Sequence, residues 1–247
     1  MSISANICLL VMSMVPVGTR AQTSIPPGAI LPVQLNTTLN SQKVKPGRKV
    51  TARIMQDVPG TPVRAGAQLI GQVVKVEQPN GRSAQITLRF DSIKLGHQIV
   101  SVNTSLRALA SMRDVEDAQT PSVGTDRGSP WAWMPRTLIG GEAAYGQGGP
   151  VVHGADVVGT ALFDGVLASA RANPNRGCRG EVDGNSKPQA LWVFASDACG
   201  TYGMEEVTIV HTGRTPPFGE ITLASSASRL LVRSGSGMLL RVNGNSQ

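Results

Sequence analysis

The residues of this 247-residue chain best suited to chemistry are three His, three Cys and 16 Asp or Glu. His97, His153 and His211 stand far apart, with no HExxH or other paired-ligand spacing, so a metal centre would need a site assembled entirely by the fold. Each reads as a turn or surface residue. There is no GxSxG elbow and no Walker loop, and the glycines at 140–141 and 146–149 lack the strand-to-helix setting in which backbone amides cradle phosphate. Carboxylates are the remaining source of catalysis. Asp156, Asp164, Asp183 and Asp197 share a region with Trp192 and Tyr202, and glycoside cleavage needs two carboxyl groups about 5 to 10 Å apart beside aromatic platforms. Asp164-Gly165 and Asp183-Gly184, however, are turn-forming pairs. The sequence thus names no catalytic residue, no metal ligand and no cofactor, and a carboxylate-dependent carbohydrate-active enzyme stands as an alternative reading.

Cysteine usage points to a compartment. Ile7 to Val17 is an apolar stretch followed by Gly18-Thr19-Arg20-Ala21, whose small residues at 19 and 21 suit a signal-peptidase cut before Gln22, although Met1 to Asn6 carry no Lys or Arg. The expectation is a signal peptide over 1–21 and export to the periplasm or cell envelope. Cleavage would remove Cys8 and leave Cys178 and Cys199, an even pair in an oxidising environment. A disulfide between them would close a loop of about 22 residues and stabilise the fold by roughly 3 kcal/mol on the chain-entropy model. Neither Cys has a second Cys or His two to five residues away, which disfavours metal binding. No apolar run approaches the ~20 residues of a spanning helix, so no transmembrane helix is expected in the mature chain.

Charge is the strongest functional signal. The formal net charge is +7, and it is unevenly distributed: residues 22–113 hold twelve Lys or Arg against Asp57, Glu77 and Asp91, a net +9, whereas residues 114–247 are net −3. Lys43, Lys45, Arg48 and Lys49 crowd around Pro46-Gly47 and form a candidate anion-binding loop. The basic region lacks the interleaved aromatics on which bases stack, which disfavours nucleic acid. An anionic envelope polymer or lipid surface is the expected partner. Trp131 and Trp133, two indoles after Ser129-Pro130, are candidate contacts to a sugar polymer or a membrane interface.

The elements that must position these groups are strands. Runs of alternating polarity at 29–35, 49–55, 68–77 and 83–93 are divided by turn signals, among them Asn80-Gly81, and a second hairpin turn is expected around Leu95-Gly96-His97. Further strands are expected at 157–169, 189–195, 206–211, 219–224, 229–233 and 238–242, with Ser234-Gly235-Ser236-Gly237 as a hairpin turn between the last two. Only Phe90 among nine aromatics precedes residue 130, so the first region needs an aliphatic core, whereas Phe163, Trp192, Phe194 and Tyr202 are placed to pack near the disulfide. The organisation expected is mostly β: a signal peptide (1–21), a basic antiparallel barrel or sandwich module (22–107), a linker (108–135) and a second β-rich module with the disulfide (136–247).

Ile25-Pro26-Pro27-Gly28, Asp57-Val58-Pro59, the Arg64 to Val73 stretch and Leu88-Arg89-Phe90-Asp91 together resemble the periplasmic β-barrel of TrbI-type conjugation and secretion-channel scaffolds. The resemblance covers about a third of the chain. It implies a secretion- or conjugation-associated envelope role as another alternative, but the Pro-rich arm and membrane helix of that family have no counterpart in the sequence. The whole chain, with Cys178-Arg179-Gly180-Glu181 and its Gly-Ser-Gly-x-Leu-Leu-Arg-Val ending, is similar to an exported bacterial family, a similarity that implies no activity. An exported envelope binding or scaffolding protein without catalytic activity is the reading these features favour.

Overall fold

Period-two alternation makes one side of each segment apolar and the other polar, and such segments are stable only when paired into a sheet that buries the apolar side. The computed structural model describes residues 25–78, 81–120, 136–140, 143–144, 150–153, 156–162, 165–166, 191–195 and 198–244. Its first half contains β1 (Ile30–Leu35), β2 (Leu39–Asn40), β3 (Lys49–Ile54), β4 (Gln68–Glu77), β5 (Ala84–Leu95), β6 (Gln98–Ser101), β7 (Thr104–Ala110) and one helix, α1 (Met112–Gln119). There follow β8 (Arg136–Thr137), β9 (Ala143–Ala144), β10 (Pro150–His153), β11 (Asp156–Leu162) and β12 (Gly165–Val166). The last are β13 (Gly200–Tyr202), β14 (Val207–His211), β15 (Ile221–Ser225), β16 (Leu231–Val232) and β17 (Gly237–Val242). The fold is mostly β, as expected.

Ten strands make one sheet in the order β13-β7-β17-β1-β3-β4-β5-β15-β14, with β6 beside β5. Its pairings are antiparallel except β13 with β7. The sheet curls strongly. β6 pairs with β5, and after Val102 and Asn103 the same segment continues as β7 and pairs with β17, at the other end of the strand order. The Leu106 N–H of β7 also donates to the Thr212 carbonyl just beyond β14, at 2.8 Å. Curling encloses the main core, in which Leu31, Val33, Ile54, Leu69, Ile86, Leu88, Leu109 and Leu240 are fully buried and Phe90 is the one aromatic.

This topology bears directly on the expected modules. The boundary expected after residue 107 falls inside β7, and β14, β15 and β17, from the expected second module, sit in the sheet of the first. β17 inserts between β1 and β7, and β15 covers the first half of β5. The strands of 30–110 and 200–242 are therefore one structural unit that shares the main core. The physical reason is burial: β1 and β5 each have an apolar side that residues 22–107 alone cannot cover.

A second, smaller core lies on the outer face of β7 and β17. Ala108, Ala110 and Leu239 point away from the main core and meet Val115 and Ala118 of α1, Leu138, Ile139, Phe194 and Tyr202. β17 is consequently buried on both faces, and an added Cβ at Gly237 would stand 2.9 Å from Val115 and 3.1 Å from Phe194. The expected linker thus begins with the end of β7 and with α1; residues 121–135 lie outside the described residues.

Two local expectations are corrected. Gln189 to Ala195 is expected as a strand, but Leu191 and Phe194 exchange backbone hydrogen bonds of 2.9 and 3.0 Å across a tight turn whose Trp192 has φ +59°. Ser234 to Gly237 does turn the chain, with Gly235 at φ +91°, yet the strands on either side do not form a hairpin: β16 pairs with β2, and β17 pairs with β1 and β7.

Candidate anion-binding face

The four cations of the basic loop are all exposed, and the backbone beneath them is fixed. Lys43 and Val44 donate to the Asn40 carbonyl, and Arg48 donates to the Lys45 carbonyl across a turn with Pro46 and Gly47 in its centre, Gly47 at φ +81°. Pro then Gly at those two positions is the chemistry of a type II turn. The turn is stitched to β4, since the Gly47 N–H donates to the Val73 carbonyl and the Val73 N–H to the Arg48 carbonyl, at 2.8 and 2.9 Å. Lys45, Arg48 and Lys49 are held beside the middle of β4.

From there cations continue across the outer face of β3, β4 and β5. Register places Lys49 opposite Gln72 and Gln72 opposite Arg89, and it places Arg53 opposite Gln68 and Gln68 opposite Lys94. Two parallel rows result, each cation-glutamine-cation. Strands lie about 4.8 Å apart and rise about 3.3 Å per residue, so the four cations bound a patch of roughly 10 by 13 Å. Thr51, Ile70 and Ser92 form the row between. Lys49, Arg53, Arg89 and Lys94 are exposed, whereas Val50, Ala52, Ile54, Phe90 and Ile93 on the opposite side are buried. One carboxylate interrupts the patch: Asp91, extruded beside the bulge at Ile70 and Gly71, lies 4.0 Å from Arg89. Arg53 donates to the Gln34 side chain at 3.3 Å.

The other acidic residues of the basic region stand beside cations of their own. Asp57 meets Arg64 at 3.8 Å and Glu77 meets Lys75 at 2.7 Å, all on exposed side chains. Among the described residues, Lys43, Lys45, Arg48, Lys49, Arg53 and Lys94 have no carboxylate within 4 Å. Their field is therefore directed to solvent. Arg53, Arg89 and Lys94 are missed as part of one patch by a reading of local sequence, because Arg53 lies on a different strand from the other two; the available signal is the strand alternation, which sends each to the polar side.

The remaining candidates are scattered or outside the described residues. His97 is exposed in the turn between β5 and β6. His211, at the end of β14, holds its Nδ1 2.6 Å from the Glu220 carbonyl and its Nε2 3.2 Å from the Thr215 hydroxyl, so it ties down a loop. His153 and Asp156 lie in β10 and β11. Cys178, Asp164, Asp183, Asp197, Trp131 and Trp133 lie outside the described residues, as does the expected signal peptide. Among the described residues no group of three His, Cys, Asp or Glu is placed to hold a metal ion, and no helix is long and apolar enough to cross a membrane. Cys199 is buried ahead of β13, and its N–H donates to the Tyr202 hydroxyl at 3.1 Å. Trp192 and Phe194 meet edge to face with ring centres 6.4 Å apart, and the Trp192 N–H donates to the Gln56 side chain at 2.7 Å. Phe194 and Tyr202 share the second core, the latter hydrogen-bonded to Cys199, while Phe163 lies outside the described residues. No family model matches the chain, and no curated protein matches it in sequence.

Proposed function

We propose that the protein is an exported, non-catalytic binding or scaffolding component of the cell envelope, and that the outer face of β3, β4 and β5 with its adjoining loop contacts an anionic envelope polymer or lipid surface. The observation that carries this reading is the register that lines up Lys49, Arg53, Arg89 and Lys94 around two glutamines, extended by Lys43, Lys45 and Arg48 and opposed by Asp91 alone. An open, cation-bounded sheet face suits an extended partner with repeating negative charge better than a small molecule, because the charges are spread over the outside of the sheet. Glutamine side chains between the cations offer both donors and acceptors to a hydroxylated or phosphorylated backbone.

The test is cosedimentation of the full chain with purified peptidoglycan and, separately, with vesicles containing anionic lipid. Binding should be strong at 20 mM salt and largely lost at 500 mM, since exposed charge contacts weaken as the screening length shrinks. A Lys or Arg near an anionic surface contributes about 1 kcal/mol, so the Lys49→Ala, Arg53→Ala pair should weaken binding roughly 30-fold. Absence of binding to both materials at low salt overturns the reading. The export side has its own check. A disulfide joining Cys178 and Cys199 predicts that neither thiol is alkylated in the unfolded protein until a reductant is added, and ready alkylation without reductant removes it.

A further inference from the structure

Away from the cationic sheet face, a cleft of about 950 Å³ opens where the start of α1, the turn after β13 and the segment from 227 to 236 meet. Its volume falls in the range that holds a small ligand. Arg113, at the start of α1, and Arg229 and Arg233, from the 227–236 segment, line it from two separate parts of the chain. None of the three has a carboxylate within 4 Å among the described residues. Two carboxylates share the cleft, Asp114 and Glu206, but the first is already engaged, its Oδ2 accepting from the Ser111 hydroxyl at 3.1 Å. The balance left for a ligand is three guanidiniums against two carboxylates, an excess of one positive charge.

The walls are preformed. Gly203 lies so close to Asp114 that an added Cβ would overlap its carboxylate, and an added Cβ at Gly235 would stand 2.8 Å from Met112. Both glycines have positive φ, which lets the two turns press against the first turn of α1. Segments held this tightly place the backbone of the arginine-bearing segments around a common rim, from which the three exposed side chains extend. Met112 and Met204 add soft apolar surface, while Gln42 and Ser228 add hydrogen-bonding groups.

We infer that this cleft is a second ligand site, distinct from the sheet face, for a compact hydroxylated anion: a sugar carrying a phosphate or a carboxylate. The guanidinium forks suit either oxyanion bidentately, the hydroxyl and amide groups suit a polyol, and the methionines suit the apolar faces of a sugar ring. The inference is independent of the proposed envelope contact, because its residues and those of the sheet face do not overlap.

The test is calorimetric titration of the full chain with glucose 1-phosphate and with glucuronate, with glucose as the uncharged control, alongside the Arg Nε–H resonances. Saturable binding of at least one anion is expected, with shifts of three Arg resonances and none from glucose, and the stronger of the two anions identifies the headgroup. Arg229→Ala with Arg233→Ala should weaken it at least tenfold. Arg113→Lys, which keeps the charge and loses the fork, should weaken it severalfold with an unchanged circular dichroism spectrum. Lys49→Ala with Arg53→Ala should leave it within twofold. Saturable binding of neither anion, equal binding of glucose, or an equal loss in the sheet-face pair overturns the inference.

Discussion

At the scale of single residues, what holds this fold is most visible where a side chain is missing. Gly71 sits in β4 at a bulge opposite Phe90, and an added Cβ there would overlap the Arg89 carbonyl oxygen and stand 2.8 Å from the Phe90 Cα. Both are backbone atoms of the neighbouring strand and have no rotamer to escape into. Gly71→Ala should therefore push β4 and β5 apart and cost about 3 kcal/mol, lowering the Tm by roughly 10 °C in a thermal melt. An unchanged Tm would mean that the strands are less closely apposed than described. The same substitution also reports on the cationic face, because Gln72 and Arg89 are register partners one residue away.

At the scale of elements, legibility followed the locality of the signal. Gln68 to Glu77 was readable as a strand to the residue because its alternation, its flanking Asn-Gly turn and its long hairpin partner all act over short separations. β7 was not readable as such: Ala108, Leu109 and Ala110 are buried on both faces, so alternation vanishes and the run looks like the start of a linker. The tight turn at Trp192 was also hidden, since no Gly, Asn or Asp marks a position with φ +59°. What holds that turn is tertiary, the Gln56 side chain and the Phe194 pocket. α1 did leave a signal that went unused, Ser111 followed three residues later by Asp114. The Asp114 N–H donates to the Ser111 hydroxyl oxygen, and the same hydroxyl donates its proton to the Asp114 carboxylate, which fixes the Ser111 N-cap. Ser111→Ala should cost about 1 kcal/mol in chemical denaturation. Gly203→Ala, whose Cβ would displace the Asp114 carboxylate, should cost more, and because both break the same cap the double variant should cost less than their sum. Strict additivity would show that the cap and the turn are uncoupled.

At the scale of the whole molecule, the sharp division of charge, +9 over residues 22–113 and −3 over residues 114–247, marks a division of surface and not of folding. Charge is a property of outward-facing side chains, whereas the unit of folding is set by which apolar sides must be covered, and these obeyed different boundaries. β1 has Leu31, Val33 and Leu35 in the main core and is held on one edge by β3 and on the other by β17. β5 has Ile86 and Leu88 in the same core and is held along that stretch by β15. A fragment ending at residue 107 would lose both of those partners and the second half of β7, leaving open strand edges and Met238, Leu240, Ile221 and Leu223 absent from the core. Such a fragment should give a poorly dispersed amide spectrum and no cooperative melt, and it should regain both when residues 198–244 are supplied in trans. A well-dispersed spectrum from residues 22–107 alone would show that the basic region is an independent module after all. The expected outcome instead makes the cationic face dependent on the acidic half of the chain: β15 and β17 supply the apolar cover that lets β3, β4 and β5 turn their charged side chains together toward solvent.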